Sequence, residues 1–101
     1  MRVLLHVTLP HEQFNAAVKD GTASGKIQRI LGEMKPEAVY FTEYCGKRTA
    51  LAIVEMSSTA QIPSLAEPWF LQFGADVEFH PVMLPADLAQ GGLDALGKKW
   101  A

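Results

Sequence analysis

The middle of the chain constrains the fold most. Two runs of β-branched, aromatic and aliphatic residues, Val39–Tyr44 and Thr49–Met56, flank the segment Cys45-Gly46-Lys47-Arg48. Gly46 supplies the positive φ that a tight reversal needs, so the pair reads as a β-hairpin. Each side of this hairpin then supplies helix and strand. Upstream, Arg2–Leu9 is a Val- and Leu-rich strand that stops where Pro10 removes a donor. His11–Asp20 forms a helix with Phe14, Ala17 and Val18 turned inward, and the segment from Gly21 to Gly25 interrupts it. Ile27, Ile30, Leu31 and Met34 then fall at the i, i+3, i+4, i+7 spacing of a second buried helical face, which Pro36 ends.

Downstream, Ser57-Ser58-Thr59 offers an N-cap, and Ile62, Leu65, Ala66, Trp69 and Phe73 repeat with helical period. Pro63 suits the first turn, Pro68 is expected to kink or divide the helix, and Gly74 suits its end. Val77–Met83 reads as a fourth strand. Pro85–Gln90 and Leu93–Trp100 are short helical pieces on either side of Gly91-Gly92.

The order is that of an α+β, ferredoxin-like βαββαβ fold. Such a fold has a four-stranded antiparallel sheet, helices on one face and, here, a C-terminal helical tail. Right-handed crossovers put the first and third strands in the middle, with the fourth beside the first. The 101 residues are enough for one domain spanning residues 1–101, and 49% hydrophobic against 20% charged residues is a globular composition. Nine basic against eleven acidic residues leave a net charge of −2, which gives no footprint for nucleic acid or an anionic membrane. A single cysteine, Cys45, excludes a disulfide framework and a Cys-rich zinc site. The apolar opening Met1–Leu9 is broken by Thr8, Pro10 and His11 and lacks a signal-peptide cleavage pattern, so a cytoplasmic domain is the expectation.

Parity of hydrophobic residues sets the pairing of the outer strands. Val3, Leu5, Val7 and Leu9 share one face of the first strand, with Leu4, His6 and Thr8 on the other. In the last strand Val77, Phe79, Pro81 and Met83 share a face, opposite Glu78, His80 and Val82. A register in which opposed numbers sum to about 86 matches the apolar sets and brings His6 opposite His80 and Thr8 opposite Glu78; a two-residue shift keeps the same parity. Both sides of the hairpin are substantially apolar, with Tyr40, Thr42 and Tyr44 on one side and Val39, Phe41 and Glu43 on the other. A sheet that is apolar on both faces is expected to be covered on both, and a second copy of the same sheet is the simplest cover for the helix-free face.

The segments PEAVYFTEYCGKRTALAI (Pro36–Ile53), QIPSLAEPWF (Gln61–Phe70) and VEFHPVMLPADL (Val77–Leu88) carry a resemblance that extends over nearly the whole chain. The chain resembles a small bacterial family of unknown function in the dimeric α/β-barrel group of ferredoxin-like folds. The resemblance implies a homodimer whose sheets enclose a barrel, and implies no activity. Other families of that group include cofactor-free monooxygenases, lactone isomerases and haem-degrading enzymes, an analogy of fold rather than of chemistry.

The candidate ligand-binding residues are His6, Thr8, Tyr40, Glu78 and His80. Imidazoles titrating near neutral pH can act as base or acid, and neighbouring strands hold such side chains close enough to share a proton or a metal. The bland reading is two histidines in a polar interface patch, and with the third ligand undefined no metal site is assigned. Tyr40 and Tyr44 join apolar area to a hydrogen-bonding tip. Glu43 and Glu55 read as strand-end carboxylates, Trp69 and Phe73 as core, and His11 as exposed at a helix start. The segment from Gly21 to Ile27 fails the phosphate-loop pattern, having three residues between its glycines and Ile27 in place of Ser or Thr. The expectation is a homodimeric barrel that binds a small apolar or aromatic molecule, with no cofactor. The alternative is a cofactor-independent monooxygenase or isomerase acting on a small aromatic or lactone-type substrate through His6, His80 and Tyr40. Metal storage or sensing by the histidines is a third class.

Overall fold

The computed structural model describes residues Met1–Ala101. Along the chain run β1 (Arg2–Thr8), α1 (His11–Lys19), α2 (Ala23–Met34), β2 (Ala38–Tyr44), β3 (Lys47–Glu55), α3 (Ile62–Phe73), β4 (Asp76–Pro81), α4 (Pro85–Gln90) and α5 (Leu93–Lys99). A 3₁₀ turn, Thr59–Gln61, leads into α3. The strands form one antiparallel sheet in the order β2-β3-β1-β4, an α+β architecture compatible with the ferredoxin-like type.

The hairpin turn is tighter than its four-residue reading. Tyr44 pairs with Lys47, so only Cys45 and Gly46 lie between the strands, and both take positive φ, 53° and 78°. That is the two-residue turn whose twist matches the strands it joins. Lys47 and Arg48 consequently extend β3. The Gly46 N–H donates to Glu43 Oε2 at 2.9 Å, so this carboxylate belongs to the turn. Arg48 then reaches back to α1, donating to Asn15 Oδ1 at 2.8 Å with its guanidinium 4.7 Å from the Phe14 ring centroid.

The core lies between the sheet and helices α1 to α3. Val3, Leu5 and Val7 of β1 and Ala50, Ala52 and Val54 of β3 are buried and alternate with partly exposed residues. They join Phe14, Ile30, Trp69 and Phe73 in one cluster, and full burial of each large side chain contributes roughly 1.5–3 kcal/mol. Trp69 and Phe73 are the core residues their period predicts. On α1, Phe14 and Ala17 are buried as expected, whereas Val18 is 51% exposed, because a nine-residue helix turns only a narrow stripe to the sheet. Helix α3 continues through Pro68 and is not divided. The carbonyl that loses its partner there belongs to Ser64, which is exposed and can bond to water instead.

Helices α1 and α2 are joined by an Asx turn, in which the backbone N–H and hydroxyl of Thr22 donate to Asp20 Oδ1 at 2.9 and 2.6 Å. These bonds hold the Asp20 carboxyl below its ordinary range, the side-chain bond having the larger effect. At the sheet end, the N-terminal ammonium of Met1 donates to Glu55, so the second strand-end carboxylate is occupied as well.

Beyond β4 the chain leaves this body. Helices α4 and α5 bury no residue, and the longest dimension is 59 Å against 28 and 19 Å across. The radius of gyration is 17.0 Å, where a compact chain of this length has about 13 Å. Met83, which parity groups with Val77 and Phe79 on the apolar face of the last strand, lies beyond the end of β4 and is 68% exposed at the start of this arm.

Candidate functional site

The site forms on the sheet face that carries no helix, and the register of β4 creates it. β1 and β4 pair with numbers summing to 84, so Leu5 opposes Phe79 and Val7 opposes Val77. This is the parity-preserving two-residue shift from the expected alignment. It sets Pro81 opposite Val3 on the edge strand, in a pair that exchanges no ladder bonds, so its missing N–H costs none and the Val82 N–H still donates to the Arg2 carbonyl at 3.1 Å. As a result His6 opposes Glu78, not His80; His80 opposes Leu4; and Thr8 opposes Asp76, not Glu78.

The shift makes Glu78 the centre of the cluster. Its Oε1 is 2.9 Å from His80 Nε2 and 3.9 Å from His6 Nδ1. One donor atom from each of the three side chains lies within 4.8 Å of the others. The surroundings differ sharply. The His6 side chain is only 17% exposed, on a central strand, whereas Glu78 and His80 stand on edge strand β4 at 63% and 51%. His6 forms no hydrogen bond: Nδ1 is too far from Glu78 for one, and Nε2 is buried without a partner.

Of the other expected site residues, Tyr40 shares a row with His6, the pairs running Tyr40, Leu51, His6, Glu78 across the four strands. Two inter-strand spacings separate Tyr40 from His6, about 9–10 Å, so its phenol is not part of the cluster. Tyr44 is. Its ring packs perpendicular to His6, at 84° and 5.0 Å between centroids. Thr8 lies on the same face, one row away, opposite Asp76. The signal that could have fixed these rows is the turn itself: a Cys45-Gly46 reversal sets Tyr44 against Lys47, and all the hairpin pairs follow.

Around the cluster the open face is apolar, with Leu4, Leu51 and Ile53 half-buried and Tyr40 and Tyr44 exposed. An open groove of about 700 Å³ lies elsewhere, between α2 and α3, lined by Lys26, Arg29, Glu33 and Glu67 among others. Its two basic and two acidic side chains balance, and it lies on the opposite side of the sheet from the cluster. No protein-family model matches the chain, and a search of curated proteins finds no similar sequence.

Proposed function

We propose that the chain is a homodimeric α/β-barrel domain that binds a small apolar or aromatic molecule between the helix-free faces of its two sheets. The observation that carries this reading is the open face. Leu4, Leu51, Ile53, Tyr40 and Tyr44 surround His6 there, with no element of the same chain over them. Exposed aromatic and aliphatic residues around a few polar groups are the composition of a ligand-binding wall, and one wall does not make a pocket. A second copy related by a two-fold axis would supply the other wall.

The surface area supports the same occupant. The chain exposes 6949 Å², about a fifth more than a compact monomer of its mass, an excess of the order that a standard dimer interface removes. The arm adds to it: Leu84, Leu88, Leu93, Leu96 and Trp100 are all exposed along helices that touch no core. This reading agrees with the barrel group that the chain resembles.

Gentle native mass spectrometry with light scattering tests it. The expected result is a dimer that becomes a folded monomer in Ile53→Asp, because that change places an unpaired charge in the centre of the interface. A native chain that is monomeric at micromolar concentration would overturn the dimer. A dimer that retains no small molecule and takes up no aromatic probe would overturn ligand binding.

A second reading, proton-transfer catalysis without a cofactor, is favoured by one contact. The carboxylate of Glu78 lies 2.9 Å from His80 Nε2, and this orients an imidazole over the open face. Here Tyr44, rather than Tyr40, is the phenol beside His6.

A further inference from the structure

We propose that His6, Glu78 and His80 form a binding site for one divalent transition-metal ion of the zinc(II) or nickel(II) class. The three donors come from one chain, two from β4 and one from the adjacent β1, so their backbone positions are fixed by ladder hydrogen bonds. An ion about 2.0–2.1 Å from each donor needs the donors about 3–4 Å apart. The distances are already close to this: 2.9 Å from Glu78 Oε1 to His80 Nε2, 3.9 Å to His6 Nδ1, and all three donors within 4.8 Å of one another. The remaining adjustment falls on Glu78 and His80, both more than half exposed and free to turn about their side-chain torsions.

The bland arrangement, a hydrogen-bonded patch, accounts for Glu78 and His80 but not for His6. An imidazole that is 17% exposed, with neither nitrogen hydrogen-bonded, is costly on packing grounds alone. Metal ligation would give Nδ1, the nitrogen that faces Glu78, the partner it lacks, while the perpendicular Tyr44 ring limits reorientation of the imidazole and Nε2 stays buried in the sheet face.

The donor set determines the metal class. Two imidazoles and one carboxylate suit borderline ions such as zinc(II), nickel(II) and copper(II), whereas magnesium and calcium require an all-oxygen shell. Three protein ligands on one face also leave the remaining coordination positions directed away from the sheet, toward the space the open face borders. That is the arrangement of an ion that can take a further ligand. The site is complete within one chain and does not depend on the dimer.

The test uses full-length chain without a histidine tag, titrated separately with zinc(II) and nickel(II) by calorimetry and with cobalt(II) by absorption. One ion per chain is expected, with visible d–d bands for cobalt and no competition from magnesium or calcium. His80→Ala, on an exposed edge position where folding is unaffected, is expected to weaken zinc binding at least ~100-fold, as are His6→Ala and Glu78→Gln, while His11→Ala leaves it unchanged. Circular dichroism confirms that each variant is folded. Binding that survives His80→Ala or Glu78→Gln, that is lost in His11→Ala, or that is absent from the native chain overturns the proposal. A monomeric chain that still binds one zinc ion overturns the dimer and leaves the metal site standing.

Discussion

The two faces of the sheet are written in the same four strands by alternate residues, and they have different fates. On the helix side Val3, Leu5, Val7, Ala50, Ala52 and Val54 are 2% exposed or less, closed over by Trp69 and Phe73. On the other side their sequence neighbours Leu4, His6, Leu51 and Ile53 are half-buried, and Tyr40 and Tyr44 more exposed still. The first face has what covers it within reach of two crossover connections. The second has the same apolar character and no local cover. A sheet can therefore specify its own core on one side and an open, largely apolar face on the other, using nothing but period-two alternation.

The largest effect that would sharpen this contrast is in the core. Trp69→Ala removes a side chain with no exposed surface and should cost about 3–5 kcal/mol, read as a large fall in the urea midpoint. Leu51→Ala, on the half-buried open face, should cost the monomer less than half as much. Equal losses would show that the open face is as tightly packed as the core, and would break the distinction between them.

A smaller effect tests the turn that sets the rows of both faces. Cys45 takes a left-handed φ of 53° ahead of Gly46, where asparagine is better suited. Cys45→Asn is expected to stabilise the chain by a few tenths to about 1 kcal/mol with no change in oligomeric state. A destabilised variant would mean that the thiol has a role the turn geometry does not require.

The smallest effect lies on the helix side, away from the open face. The bonds from Thr22 hold the Asp20 carboxyl low, so their contribution is complete above roughly pH 4 and is lost as the pH falls through the lowered folded-state value. Thermal melts between neutral pH and pH 3 should show Asp20→Ala slightly less stable at neutral pH, the gap closing on acidification. A gap that widens toward acid would assign the carboxyl the opposite shift.

Much of this architecture could be read from the residues. The hairpin, the helix faces led by Ile30 and Trp69, and the partition of β1 into Val3-Leu5-Val7 against Leu4-His6-Thr8 all follow from periodicity, because each records which side of an element meets apolar neighbours. The alignment of β4 could not be read in the same way. Registers two residues apart satisfy the same parity, so hydrophobic pattern alone could not choose between His6 facing His80 and His6 facing Glu78. The continuity of α3 through Pro68 was equally hidden, since it depends on whether Ser64 can reach water. Val18 and Met83 are apolar residues at positions where the folded body offers nothing to pack against.

By itself, then, the sequence determined the kinds and order of elements and the face to which each strand residue turns, since both are local consequences of side-chain period and backbone preference. The tertiary structure alone decided which residues meet across strands. Pairing is a property of two segments more than sixty residues apart, fixed by where β4 leaves α3 and where Pro81 can sit. That choice of register placed a carboxylate between two imidazoles, and on it rest both the metal site and the proton-transfer reading proposed for the open face.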